Sequence, residues 1–238
     1  MPHNNYFQFK QFRVEQNHAA MRVGTDGVLL GAWAEVKNAS AILDIGTGTG
    51  VIALMLAQRS GAQIDAIDIG TGAIKDASHN FEQSPWKNRL NLFQSSFQNF
   101  AENSEKKYDC IVSNPPFFNN SAQSVQKERA LARHTESLSY KELAKGVSKL
   151  LHTNGNFCVI LPIEAEKSFQ VYMLGYDMHM TKKTRVLPNL EKPCKRVLLQ
   201  FEFLQKPLLE NELIIETETK HKYTEQAVKL FKDFYLNL

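Results

Sequence analysis

Two short stretches of this chain combine residue types and spacing that suit chemistry. The first is Asn114-Pro115-Pro116-Phe117, which closes the apolar run Tyr108 to Ser113. Two prolines remove two backbone donors and fix the chain, leaving the Pro115 carbonyl as an acceptor that no ladder or helix readily claims. The Asn114 side-chain oxygen and that carbonyl can together accept from one NH2 group, while the Phe117 ring offers a face to the flat system carrying it. An amino group on a planar base, or an amide, fits such a site. Taken alone, the same four residues also serve as a strand-ending turn. The second stretch is Ile42-Leu-Asp-Ile-Gly-Thr-Gly-Thr-Gly50. Its glycines permit positive φ and close ligand approach, and the apolar residues that follow open a helix with unpaired N–H groups. The third glycine of a dinucleotide fingerprint would fall on Val51, which argues against nicotinamide or flavin. Asp44, ending a buried strand beside the turn, would repel a pyrophosphate and attract a cationic ligand.

The elements that must position these residues follow a β-α-β rhythm. Ile42 begins a buried strand into the glycine turn, and Ile64 to Ile69 forms a second strand that ends at Asp68. That carboxylate lies about 20 residues past the turn, where doubly wound sheets hold ribose hydroxyls. A helix over Gly72 to Gln83, a strand at Leu90 to Gln94 and a central strand at Tyr108 to Ser113 continue the series. Ser139 and Glu142 form a capping box for a helix striped by Tyr140, Leu143, Val147 and Leu150 and ending near Gly155. Asn156 to Leu161 is a fifth strand, with Glu164 to Met173 as its return helix. Met178 to Val186 and Val197 to Phe203 then pair directly as a hairpin with a basic loop. Before the core, residues up to about 20 alternate aromatic and polar as a strand or arm, and Gly24 to Gly27 cap a helix over Val28 to Ala34. After it, Tyr223 to Leu238 reads as a docked amphipathic helix.

Composition sets wide bounds. The chain has 238 residues, 43% of them hydrophobic, enough for one large α/β domain. A net charge of +3 permits an anionic partner without requiring one. The three cysteines, Cys110, Cys158 and Cys194, form neither a C-x-x-C pair nor a Cys/His cluster, so no disulfide frame and no metal site is expected. The N-terminus has no apolar leader and no segment reaches the roughly 20 apolar residues of a membrane helix. A cytoplasmic protein without membrane contact is expected, and nothing in the sequence calls for an obligate protein partner.

With Asp44 to Gly50, Asp68 and Asn114 to Phe117 in hand, the chain resembles class I S-adenosylmethionine-dependent methyltransferases that act on exocyclic or amide nitrogens. The segments M-R-V-G-T-D-G-V-L-L-G-A-W-A, R-A-L-A-R, R-V-L-L-Q-F and Y-T-E-Q-A-V-K-L-F-K-D-F-Y are similar to the bacterial tRNA1(Val) adenine-37 N6-methyltransferase family. That resemblance implies a Rossmann-like fold: a mostly parallel seven-stranded sheet, an antiparallel C-terminal hairpin and helices on both faces. Residues 1–238 would form a single methyltransferase domain, with an N-terminal arm and cap helix over 1–38, the core over 39–205, and a C-terminal strand and docked helix over 206–238. It implies S-adenosylmethionine as cofactor, S-adenosylhomocysteine as product and tRNA as substrate. Asp44, Gly46, Thr47, Gly48 and Gly50 would hold the aminoacyl end, with Thr25 and Asp26 covering it. Asp68 and Ile69 would meet the ribose side, and Ser96 stands where relatives usually place an acid for the adenine amine. Asn114, Pro115 and Phe117 would be catalytic, with Asn114 also beside the cofactor and Phe117 against the base. Arg129, Arg133, Lys195 and Arg196 would grip phosphates, as could Lys182, Lys183, Arg185 and Lys192. His79 and His134 read as surface residues rather than bases. N5-methylation of a protein glutamine, N-methylation of a base in rRNA or DNA, and cofactor binding without catalysis are the competing expectations.

Overall fold

A computed structural model describes residues 5–116, 138–219 and 222–238. Phe117, Arg129, Arg133 and His134 lie outside the described residues. An eight-stranded sheet runs in the order β10-β8-β9-β7-β6-β3-β4-β5. Its strands are β3 (Ala41–Ile45), β4 (Gln63–Asp68), β5 (Leu90–Gln94), β6 (Tyr108–Ser113), β7 (Leu151–Pro162), β8 (His179–Leu187), β9 (Arg196–Glu202) and β10 (Leu209–Ile214). Only β9 runs antiparallel, to both β7 and β8, which is the hairpin expected from two apolar runs joined without a helix. Helices α1 (Thr25–Trp33), α2 (Val51–Arg59) and α3 (Thr71–Glu82) cover one face. Their apolar residues pack on Ile42, Ile64, Val112, Ile160 and Leu198. Helices α4 (Phe97–Asn103), α5 (Tyr140–Leu150) and α6 (Glu166–Leu174) cover the other, against Leu43, Ile67, Ile111, Phe157 and Leu199. Strands buried on both faces read as continuous apolar runs, as these do.

Among the described residues the sheet has eight strands rather than seven. The additional strand, β10, pairs parallel with β8, Leu209 opposite Lys182 through Ile214 opposite Leu187. It is an edge strand with four of its six residues exposed, so no buried apolar run marks it as part of the sheet. Helix α5 stops at Leu150, not near Gly155, because β7 starts at once with Leu151 opposite Tyr108. The register then skips to Asn156 opposite Cys110. Gly155 is therefore a bulge glycine and not a helix cap: a Cβ there would lie 2.8 Å from the Asp109 carbonyl oxygen. The capping box is formed, Ser139 Oγ accepting from Glu142 N while Glu142 Oε2 accepts from Ser139 N.

At the N-terminus, β1 (Tyr6–Gln8) and β2 (Arg13–Glu15) pair as a hairpin. Phe9 and Phe12 stack at 4.5 Å between ring centres, and Phe9 also stacks on Tyr235. The Lys10 ammonium donates to the carbonyls of Lys232 and Leu238. The C-terminal helix α7 is shorter than its amphipathic stripe suggests, Glu225–Phe231 with Thr224 as N-cap. The N-terminal hairpin and the C-terminal segment are thus locked together on the α1–α3 side.

Candidate active site

A cavity of about 630 Å³ opens at the carboxyl edge of β3, β4 and β6. This is where the strand order reverses, β4 lying on one side of β3 and β6 on the other, and such switch points leave a crevice. The glycine turn forms its floor. Gly46, Gly48 and Gly50 have φ of 72°, 57° and 83°, in the left-handed region that favours glycine. A Cβ on Gly46 or Gly48 would meet nothing within 4 Å, so the missing side chains are open space for a ligand. Gly50 has a different reason, since its Cβ would lie 2.5 Å from the Phe81 ring. The turn is tied to β4 by Gly46 N and Thr47 N, which donate to the Ile67 carbonyl at 2.9 and 3.0 Å.

Asp68, half-buried on the cavity wall, accepts from Gly48 N through Oδ2 at 2.9 Å and from Gly70 N through Oδ1 at 2.8 Å. Ile69 beside it is exposed on the same wall. Asp44 does not line the cavity; it is wholly buried beneath the turn. Its Oδ2 accepts from the Thr47 hydroxyl at 2.6 Å, and its Oδ1 has no hydrogen-bond partner among the described residues. Burial pushes this carboxyl up to about 7; the Thr47 hydroxyl and the Ala53 amide pull against it, and the Asp68 charge adds to the rise.

Asn114 and Pro115 follow β6 on the opposite wall. Among the described residues the Asn114 Oδ1 is buried without a hydrogen-bond partner, and Pro115 is buried too. Buried polar atoms are satisfied in the great majority of cases, so an orphan acceptor on a residue that lines the cavity marks a place for a donor. Ser113 fixes the position by donating its hydroxyl to the Ile45 carbonyl at 3.1 Å. Ser96 lines the cavity but caps α4, accepting from Asn99 N at 3.2 Å.

Thr25 and Asp26 are in the first turn of α1, with Gly24 as N-cap, instead of preceding the helix. That frees the Asp26 carboxylate for Arg196, whose Nε donates to it at 2.8 Å. Arg196 therefore borders the cavity, at the start of β9 beside exposed Lys195. Lys192 in the hairpin loop is exposed, whereas the basic residues on β8 are compensated within the chain. Lys182 pairs with Glu35, Lys183 with Glu166 and Glu210, and Arg185 with Glu212. His79 is exposed on α3 and does not line the cavity.

In the wall formed by His18 to Arg22, only Met21 and Arg22 belong to a segment singled out in the sequence; His18, Ala19 and Ala20 carry no motif. Its anchor is Asp76 on α3, buried among the alanines of the helix. Asp76 Oδ2 accepts from the amides of His18 and Ala19, and Oδ1 lies 2.8 Å from the His18 ring Nδ1. Burial acts to raise the Asp76 carboxyl, but these bonds outweigh it and hold the group below its ordinary range. Gly72 lies against His18, where a Cβ would collide with its carbonyl oxygen, so the pair serves as part of the wall.

Residues 19–160 match the methyltransferase small domain family. Over 98% of both chains, this protein is 43% identical to a tRNA1(Val) (adenine(37)-N6)-methyltransferase of Bacteroides fragilis. The chain belongs to that methyltransferase family. A second relative with the same description, from Trichodesmium erythraeum, is 44% identical over 98% of each chain. Among solved structures, a predicted O-methyltransferase from Agrobacterium tumefaciens superposes over 90% of this chain and 100% of its own with a TM-score of 0.68. At 14% identity that likeness shows the class I methyltransferase fold and nothing finer.

Proposed function

We infer that this protein transfers a methyl group from S-adenosylmethionine to N6 of adenine 37 in a valine tRNA. The observation that carries the chemistry is the buried, unpartnered Asn114 oxygen at the cavity wall, beside a proline that brings no N–H donor. Relatives 42–44% identical over nearly the whole chain are described as acting on that base. The residues present fit the cofactor: two glycines leave open space at the floor, Asp68 ends β4 beside them, and below lies the Asp44 carboxyl, whose ionised form a cationic ligand would favour.

Bound S-adenosylmethionine supplies a methyl group already electrophilic at its sulfonium. The protein's task is the amine, whose lone pair is delocalised into the adenine ring and is a poor nucleophile. Asn114 Oδ1 and the Pro115 carbonyl accept from the two N–H bonds, hold the nitrogen in line and favour its pyramidal form. Once methylated the nitrogen is acidic, and these same acceptors or water take its proton. Phe117 stacks on the base. A base beside the anticodon is already unpaired, so bringing it into the cavity costs less than extrusion from a duplex. Lys195 and Arg196 meet tRNA phosphates, and Arg129 and Arg133 are further phosphate contacts in this reading. Among the described residues no helix is long and apolar enough to cross a membrane, and with tRNA as substrate the protein acts in the cytoplasm.

Radiolabelled methyl transfer to a valine tRNA transcript, with a partner transcript carrying guanosine at position 37, tests this. Label should enter the first and not the second. Equal labelling of both, or labelling of a release factor in preference to tRNA, would overturn it.

A further inference from the structure

The loop 17–22 forms a wall of the cavity although almost nothing in it is buried. His18, Ala20, Met21 and Arg22 are exposed, and Met21 has 62% of its surface in solvent. Hydrophobic burial therefore cannot hold this strap in place. Directional polar contacts do. At its base the buried Gln16 Oε1 accepts from Val23 N at 2.9 Å, closing the loop on itself. At its start Asp76 takes two backbone amides and the His18 ring. One helical turn further on, the Asn80 amide donates to the carbonyls of Glu15 and Thr49 and accepts from Glu15 N, so a single side chain joins the arm to the glycine turn. Gly72 completes the arrangement: a Cβ there would collide with the His18 carbonyl oxygen. Two polar side chains, 2% and 1% exposed, thus sit four residues apart on the buried side of α3, all their bonds directed at the strap, the arm and the turn.

We propose that Asp76 is a positioning residue for the methyl donor: by clamping the strap against α3 it fixes one wall of the cofactor cavity, with Asn80 setting the same arm in register with the glycine turn. Asp76 touches neither cofactor nor base and acts through His18 and Ala19. The inference rests on S-adenosylmethionine as the ligand of this cavity.

Calorimetry with S-adenosylhomocysteine, together with KM and kcat for S-adenosylmethionine, separates this from a merely structural role. Binding of the product by the unaltered protein establishes the ligand first, so its failure there sinks the cofactor assignment and not only the clamp. In Asp76→Ala the dissociation constant and KM should rise about tenfold or more, with kcat within about twofold. Asp76→Asn keeps an oxygen for the two amides and should rise only about threefold. Lys10→Ala removes the arm's bonds to Lys232 and Leu238, far from the cavity, and should lower the melting temperature while leaving KM unchanged. Unchanged affinity in a folded Asp76→Ala, or an equal KM increase in Lys10→Ala, would overturn the proposal. Should Asp76→Ala fail to fold, Asp76→Asn decides, because it preserves volume; normal affinity there would overturn it.

Discussion

At the scale of single residues, Asn114 and Asp44 keep states that a fold selected for stability alone would avoid. A buried acceptor without a partner costs about 1–3 kcal/mol, and Asn114 Oδ1 is such an atom. Asn114→Ala should therefore melt at the same temperature or slightly higher. Its turnover should nonetheless fall by about 10²-fold or more, the scale of losing one preorganised polar contact, with tRNA affinity little changed. A folded Asn114→Ala that methylates adenine normally would end this mechanism. Asp44 carries a pH dependence. Its carboxyl titrates near 7 in the free protein against 3.8 unperturbed, so the folded state binds the extra proton between those values. From this group alone, stability falls as pH rises from about 4 to 7 and levels off above. A cationic ligand favours the ionised form, so cofactor affinity should weaken as pH drops below about 7. Calorimetric titrations of the parent and Asp44→Asn across that range check both signs: the parent should show the slope and the variant should lack it. The types and spacing of both residues were legible in the sequence, but the burial of Asp44 behind Thr47 was not, since strand position fixes a side chain's face and not its depth.

At the scale of elements, the glycine turn divides into a ligand part and a packing part. Gly48 has positive φ with empty space where a Cβ would project, whereas a Cβ on Gly50 would strike Phe81. A left-handed alanine costs roughly 1–2 kcal/mol at either position. Gly48→Ala should show little beyond that loss in thermal unfolding while weakening cofactor binding severely, its methyl standing in the cavity. Gly50→Ala should lose markedly more stability, because α3 must shift to release the ring. If the two variants lost equal stability, the division between ligand and packing glycines would be wrong. The turn, β4, β5 and β6 were readable from short apolar runs and breakers. The end of α5 was not, because Gly155 looks the same as a helix cap and as a bulge until β6 lies beside it. β10 escaped for the related reason that an exposed edge strand carries little periodic signal.

At the scale of the whole molecule, the distribution of charge matters more than its net value of +3. Lys182, Lys183 and Arg185 have carboxylate partners in the chain, while Lys195 is exposed next to Arg196, the partner of cavity-lining Asp26. Lys195→Ala should lower the slope of log affinity for tRNA against log salt by about 1, the effect of losing one phosphate contact. Lys182→Ala should leave the slope alone, having removed half of an internal pair. Identical slopes for the parent and Lys195→Ala would return that lysine to ordinary surface charge. Arg196→Ala should disturb cofactor and tRNA binding together, because its guanidinium also braces Asp26.

What the sequence determined by itself was local: the order and type of most elements, the glycine turn, the Asn-Pro-Pro acceptor and the class of chemistry they suit. Short-range sterics, backbone donors and hydrophobic period dictate those features within a few residues of one another. Only tertiary structure decided which polar groups meet across the chain. Asp76 and Asn80 read in sequence as ordinary helix polar residues and became the clamp of a cavity wall only once His18 and Glu15 were folded back on them. Asp26 became the brace of Arg196 across 170 residues by the same kind of long-range encounter. Charge and hydrogen bonding act at contact distance, and contacts between distant residues are set by the packing of whole elements, for which a single residue's neighbours in sequence carry no signal.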